Sequence, residues 1–434
     1  MTDRRLDPER APWLVSKEVR ALFAALGAEN ARIVGGAVRD ALLGRPLPHE
    51  LDIACRLPPE ESVRRLEKAG FRTIPTGLSH GTISVAGRDW FYEITTLRID
   101  VETDGRHARV AFTDDWQADA SRRDFTMNAI YCDLEGRLSD FFGGIRDALE
   151  GRVRFIGDPR RRIEEDALRI LRFFRFHAHY GRGRPDEEGL AACAEMRDRL
   201  TRLSIERVRD ELLKLLAAPD PGEALTAMEE TGILPLVLPR RAGEWAKHLA
   251  QLVLIERIFT DEQALGKEDD DQCALRRLAA LLAPMSEEGC RHEARRLKLS
   301  RRQMRRLARL ALPLVGHDAR TLRRAIHADG IDLTRDRLLL ALARSGTHGQ
   351  EAAILAREWR DLSKSPPPPF PLKGADLITL GLTPGPEIGK LLTRLEDEWI
   401  AEDFRASRTE LLARAKAVLS AQATARRTEA EDHG

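Results

Sequence analysis

Two glycines between a short apolar run and an amphipathic helix, with a pair of acids just beyond, constrain this chain more than any other feature. Ile33-Val34 leads into Gly35-Gly36. Val38, Leu42 and Leu43 form the apolar side of a short helix, and Gly44 and Pro46 end it. Glu50 and Asp52 follow, one residue apart, before a second apolar run, Ile53-Ala54. A glycine pair after a strand lets backbone N–H groups approach an anion closely. The helix that follows turns its positive end toward the same place. Acids at i and i+2 on a strand share a face. Two carboxylates held side by side repel unless a cation lies between them, and an oxygen-only pair suits Mg²⁺. Spacing alone leaves a second reading equally open: a loop ending in a solvated acidic edge.

Downstream, Gly81–Val85 and Trp90–Leu97 read as an antiparallel strand pair joined around Gly87-Arg88-Asp89, and Glu93 alternates with Tyr92 and Ile94. Residues 100–115 are polar and read as mobile, as do residues 1–12. Asp119–Tyr131 holds Arg122-Arg123-Asp124 among residues expected to be buried, Phe125, Met127, Ala129 and Ile130. Consecutive arginines can grip a triphosphate, while Asp124 and Asn128 can exchange hydrogen bonds with a ribose; a structural ion-pair reading has equal weight. Val153–Ile156 reads as a short strand, and everything after it reads helical. Arg161–His179 reads as one helix with Glu165, Arg169 and Arg172 on one face, over Leu168, Leu171 and Phe174.

Several of these segments carry a family pattern. Gly35-Gly36-Ala37-Val38-Arg39-Asp40-Ala41-Leu42-Leu43-Gly44 resembles the nucleotidyltransferase core of the bacterial class II tRNA nucleotidyltransferase (CCA-adding enzyme) and poly(A) polymerase family. So do His80-Gly81-Thr82, Glu93-Ile94-Thr95-Thr96-Leu97-Arg98, Arg122-Arg123-Asp124-Phe125-Thr126 with Asn128-Ala129, and Glu165-Asp166 with Leu168-Arg169 and Leu171-Arg172. Three departures stand out. The first acid is Glu50 where the family has Asp, after a connector one residue longer, and Phe141 replaces a proline before Phe142-Gly143-Gly144. His49 is the alternative first-acid position, but a neutral imidazole fits Mg²⁺ poorly.

The resemblance implies an α+β chain. A polymerase-beta-like nucleotidyltransferase head with a mixed sheet spans 13–158, followed by a helical neck (159–218), body (219–364) and tail (370–421), with 422–434 disordered. Glu50 and Asp52 would hold Mg²⁺, with Glu93 as the third catalytic carboxylate. Gly35, Gly36, Arg39, Arg122, Arg123, Asp124 and Asn128 would hold the nucleotide. Asp166 and Arg169 would read the base of CTP or ATP, positioned by Glu165, with Arg172 on the same helix. Such reading is chemically sensible. A carboxylate accepts from the exocyclic amine that cytosine and adenine share, and an arginine donates to the ring acceptors beside it. Guanine and uracil present a carbonyl there instead. The implied reaction is template-independent addition or repair of the 3′-terminal CCA of tRNA, with loss of pyrophosphate. Poly(A) or A-only addition to another RNA 3′ end is the near alternative, and a catalytically weak RNA-binding relative is the distant one.

Size and charge fit these readings. The chain has 434 residues, enough for several cores, and a net charge of only +1, so a nucleic-acid surface must be a local patch. The basic run 291–311, with Arg301, Arg302, Arg305 and Arg306, is the candidate RNA-binding patch; an ordinary solvated helix surface is the other reading. Ser204 and Glu206 open a further helix, where Arg207 either touches nucleotide or forms a local ion pair. The five cysteines are scattered without a CxxC. No membrane span and no obligate protein partner are indicated, and the cytoplasm is the expected location.

Overall fold

Apolar residues at every second position build a mixed sheet in the first part of the chain. The computed structural model describes residues 5–77, 81–103, 108–266 and 268–431. Lys17–Leu26 (α1) precedes Ala31–Val34 (β1), Gly36–Leu43 (α2), Glu50–Cys55 (β2), Pro59–Lys68 (α3), Thr73–Gly77 (β3), Thr82–Ala86 (β4) and Phe91–Thr96 (β5). Arg98–Thr103 (β6) and Ala108–Phe112 (β7) form a separate two-stranded sheet. Trp116–Ser121 (α4), Ile130–Cys132 (β8), Leu138–Asp140 (β9) and Gly144–Glu150 (α5) complete the head. The main sheet runs β3-β4-β5-β2-β1-β8-β9. β2 and β5 are parallel, and the other neighbours are antiparallel. This is the mixed-sheet head that the sequence leads one to expect.

Leu51, Ile53, Tyr92 and Ile94 enter one core with Val19, Leu22, Phe23 and Leu26 of α1 and Val38 of α2. Each such buried side chain contributes roughly 1.5–3 kcal/mol of transfer free energy. Strand alternation then forces Glu50, Asp52 and Glu93 to the opposite face.

The helices that follow are Pro159–Glu165 (α6), Leu168–Tyr180 (α7), Glu187–Glu195 (α8), Ile205–Leu216 (α9), Gly222–Glu230 (α10) and Ile233–Val237 (α11). Phe125 and Phe155 of the head stack with Phe173 and Phe176 of α7, with ring centroids 4.9–5.5 Å apart along the chain of contacts. Such pairs contribute about 0.5–1.5 kcal/mol each beyond burial. They fix α7 against the segment that carries Arg122 and Arg123.

Several expectations are corrected. Arg161–His179 is two helices, broken at Asp166, whose backbone is extended (φ −153°, ψ 110°). Asp166 Oδ1 accepts the Leu168 N–H at 3.0 Å, so the side chain caps the next helix instead of continuing the last. Residues 153–156 form no strand; only an isolated bridge links Phe125 and Phe155. The polar stretch 100–115 contains most of the β6 and β7 strands, where Ile99-x-Val101 and Ala108-x-Val110-x-Phe112 alternate in the sequence among charged residues. Within 1–12, Leu6 and Ala11 are buried, not loose, and residues 1–4 lie outside the described residues. His80 lies outside the described residues.

The chain divides into two units: residues through Arg241 together with Arg296–Lys298, and Ala242–Arg295 together with Leu299 onward. The second is helical: Trp245–Asp261 (α12), Asp270–Leu282 (α13), Glu287–Arg296 (α14, whose last residue belongs to the first unit), Arg301–Leu310 (α15), Ala319–Asp329 (α16), Ile331–Ser345 (α17), Gly349–Lys364 (α18), Gly374–Thr379 (α19), Pro386–Ala401 (α20) and Arg408–Glu431 (α21). The basic run is therefore two helices, separated where Ser300 and Gln303 form a capping box. α21 continues past Gln422, where disorder was expected, because no glycine or proline interrupts it; 432–434 lie outside the described residues. Among the described residues, no helix is long and apolar enough to cross a membrane.

Candidate active site

The parallel register of β2 and β5 sets Asp52 directly beside Glu93. Glu50 joins them, and one carboxylate oxygen from each lies within 4.8 Å of the others. His49 stays outside this group and uses its carbonyl to accept the Phe91 N–H. Partial burial lifts the Asp52 carboxyl above its usual range. Glu50 adds to the lift, and Arg123 opposes it. Glu93 is also raised, by burial first and then by Asp52 and Glu50. Three converging carboxylates, with oxygen as the only donor, fit a hard divalent cation.

The glycine turn abuts this edge. Gly35 has φ +77°, and a Cβ there would sit 3.5 Å from Asp52 Oδ2 and 3.8 Å from Arg123 Nη1. The positive φ calls for glycine, while the distances are ordinary contact. A second glycine is needed for contact alone: a Cβ on Gly144 would come within 2.0 Å of the Thr126 carbonyl, so α5 can press against the Arg122–Asn128 segment only without one.

Gly35, Gly36 and Asp52 form one end of a cavity of about 550 Å³, and Asp166, Arg169 and Arg207 line it as well. Six arginines against three aspartates give its lining a positive excess, suited to a triphosphate. Arg39, Arg122, Arg123, Asp124, Asn128 and Arg172 are all lining residues, so the expected nucleotide-binding set converges, with Glu165 immediately behind Arg169.

Most of these groups are bonded to one another. Asp124 takes Arg172 Nε at 2.8 Å and Asn128 Nδ2 at 3.0 Å. Burial pushes its carboxyl up, but Arg172 and these hydrogen bonds hold it at about 2. Arg39 donates to Asn128 Oδ1 and to the Tyr180 hydroxyl, each at 2.6 Å, and pairs with Asp40. Arg122 and Arg123 share Asp119, which sequence reasoning missed. It is 1% exposed and also accepts the Tyr131 hydroxyl at 2.7 Å. Despite burial, Arg123 and Arg122 hold its carboxyl below the usual range. Its signal was in the sequence as an acid three and four residues before the arginine pair.

Arg169 Nη1 donates to Glu165 Oε2 at 2.5 Å and to the Arg162 carbonyl at 2.8 Å. Among the described residues, no other nitrogen of its guanidinium bonds to a protein group. Asp166 Oδ2 accepts Arg207 Nη2 at 2.7 Å, which shows where Arg207 belongs: it braces Asp166 from α9 while lining the same cavity. Ser204 occupies the N-cap position of α9 without a side-chain capping bond.

In the second unit, Arg301, Arg302 and Arg305 are exposed on α15. Arg306 is not available in the same way, because it pairs with the fully buried Asp336.

The Poly A polymerase head domain family matches residues 31–154, and the family described as probable RNA and SrmB- binding site of polymerase A matches 184–243. The mitochondrial CCA tRNA nucleotidyltransferase 1 of Mus musculus is 36% identical over 406 residues, 91% of this chain and 88% of its own length. The CCA-adding enzyme of Streptococcus gordonii is 34% identical over 380 residues, 85% of this chain and 88% of its own. Among solved structures, the Bacillus stearothermophilus CCA-adding enzyme in complex with CTP has the same fold, with a TM-score of 0.73 over 94% of this chain and 99% of its own, at 24% identity.

Proposed function

The chain belongs to the family of CCA-adding tRNA nucleotidyltransferases, and from that footing we propose that it builds or repairs the 3′-terminal CCA of tRNA, using CTP and ATP without a template. The observation that carries this reading is a single cavity lined both by Asp52 of the acidic edge and by Asp166 and Arg169.

Each transfer joins the RNA 3′ oxygen to the α-phosphorus of the nucleotide and breaks the α–β phosphoanhydride, releasing pyrophosphate. Glu50 and Asp52 would hold Mg²⁺, which when bound would supply positive charge for the attacking oxygen and the leaving group. Glu93, beside Asp52 in the β2–β5 pairing, is placed to receive the proton lost by the 3′ hydroxyl. Arg122 and Arg123, preset by Asp119, meet the phosphates, and Gly35-Gly36 lets them lie against backbone N–H groups. Asp124 and Asn128 face the ribose. Asp166 accepts the exocyclic amine of cytosine or adenine, and Arg169 donates to the ring acceptors. Arg301, Arg302 and Arg305 contact tRNA phosphates, while Arg306 serves structure.

Incubating the purified chain with tRNA lacking its end tests this directly. CTP and ATP together should restore CCA. Repeated A addition from ATP alone would point to a poly(A) polymerase, and RNA binding without incorporation would leave only a binding protein. Asp166→Ala should relax the choice of CTP over UTP by roughly 1–3 kcal/mol, the worth of one good base contact. Its Mg²⁺ dependence should stay parental in single-turnover assays; an unaltered CTP/UTP ratio removes Asp166 from base reading.

A further inference from the structure

Arg162 does not line the nucleotide cavity, yet it bonds to both of the elements that should seat a nucleotide. It is 7% exposed. Nη2 donates to the backbone carbonyl of Arg123 at 2.6 Å and also to that of Ser121. Nη1 donates to Glu165 Oε2 at 2.7 Å. That same oxygen holds Arg169 Nη1 at 2.5 Å, and the carbonyl of Arg162 holds it from a second direction at 2.8 Å. One planar, rigid guanidinium therefore spans the backbone of the phosphate-binding arginine pair and the carboxylate that aims the base-reading arginine.

We propose that Arg162 is a positioning residue for base selection. It locks the Arg169 fork in register with the phosphate site, so that a nucleotide seated by its phosphates presents its base at a fixed distance from Asp166 and Arg169. The proposal rests on reading Asp166 and Arg169 as the base-choosing pair. A template-free site has no opposing base to set that distance, and misplacement of well under an ångström is enough to blur recognition. The structure also contains the competing arrangement. Glu165 lies 3.9 Å from Arg161, whose side chain is exposed, and a second cavity of about 350 Å³ is lined by Arg161, Arg162 and Glu165. Without Arg162, Glu165 can turn toward Arg161 and release Arg169.

The test is single-nucleotide kinetics on tRNA lacking its end, with all four nucleotides. Arg162→Lys keeps the charge but cannot span both partners. Its CTP/UTP and ATP/GTP ratios of kcat/KM should fall on the order of tenfold, within the range of a site-to-site coupling, with Mg²⁺ dependence unchanged. A merely structural role would slow all four nucleotides by one factor and leave the ratios intact, which would overturn the proposal. Glu165→Gln should shift the ratios the same way, and the double variant no further than Arg162→Lys alone. If Arg162→Lys does not fold, Glu165→Gln decides. Asp166→Ala, run in parallel, separates the two failures. Ratios unmoved by Asp166→Ala overturn the base-reading assignment, whereas ratios moved by Asp166→Ala but by neither other variant overturn the role of Arg162 alone.

Discussion

Asp52→Asn is expected to lower nucleotide addition by at least about 10³-fold, more than 4 kcal/mol of transition-state stabilisation, while tRNA binding stays near parental. Asparagine keeps the shape but removes the charge at the centre of the acidic edge, where Asp52 adjoins both Glu93 and the glycine turn. The same variant should behave differently in stability. Asp52 and Glu93 both hold protons more tightly in the folded chain than their ordinary values imply. The stability they contribute is therefore present below the ordinary carboxylate range and is lost as pH rises through the raised folded values. In metal-free buffer at neutral pH the ionised edge is thus a net cost, which a divalent cation relieves. Metal-free Asp52→Asn should melt at or above the parental temperature at neutral pH, the gap should close on acidification, and Mg²⁺ should raise its melting point less. Transfer by the parental chain should fall on the acid side as these carboxylates protonate. A variant that melts lower at neutral pH and gains as much from Mg²⁺ as the parent would contradict this account.

Family motifs, more than local patterns, carried the site. Alternation places Glu50 and Asp52 on one face of their strand, but only the family resemblance singles out Glu93 and gives the Gly35-Gly36 turn its use over a solvated acidic edge. What alternation does not encode is which strands pair. The parallel contact of β2 with β5 crosses about forty residues of chain, and only the fold shows that it sets Asp52 against Glu93. Asp119 carries only a local spacing to Arg122 and Arg123 in the sequence; its burial, which makes it their holder, comes from the fold. The break at Asp166 was hidden because the Glu165–Arg169 contact survives it: a helical period looked intact across a residue whose side chain had replaced the helix. Arg162 was illegible for a different reason. Beside the nearby Glu165, its partners are backbone carbonyls some forty residues earlier, and carbonyls leave no trace in a sequence.

Asp336→Ala should be the most destabilising single change in the second unit, by about 3–5 kcal/mol. Asp336 and Arg276 are both fully buried. Asp336 accepts Arg276 Nη1 at 2.8 Å and Arg335 Nε at 3.2 Å on one oxygen and Arg306 on the other, while Arg276 also pairs with Glu256 and Glu268. These bonds join α12, α13, α15 and α17. Truncating the aspartate leaves buried guanidinium groups short of a counter-charge, which costs far more than the net worth of the pairs. Against a typical total of 5–15 kcal/mol, such a loss moves a large share of the chain toward unfolding. Urea titration of the full chain followed by circular dichroism should show an earlier helical transition, and a shift worth less than about 1 kcal/mol would show the network to be dispensable. The same geometry separates structure from RNA contact along one helix. Arg306→Ala should reproduce part of the destabilisation. Arg302→Ala, on the exposed side of α15, should leave the urea transition in place but weaken tRNA binding and flatten its salt dependence by roughly one unit of slope per lost phosphate contact. If Arg302→Ala instead shifted the urea transition and left the salt slope unchanged, α15 would be a structural helix on both faces, and the phosphate contacts would have to be sought elsewhere in the chain.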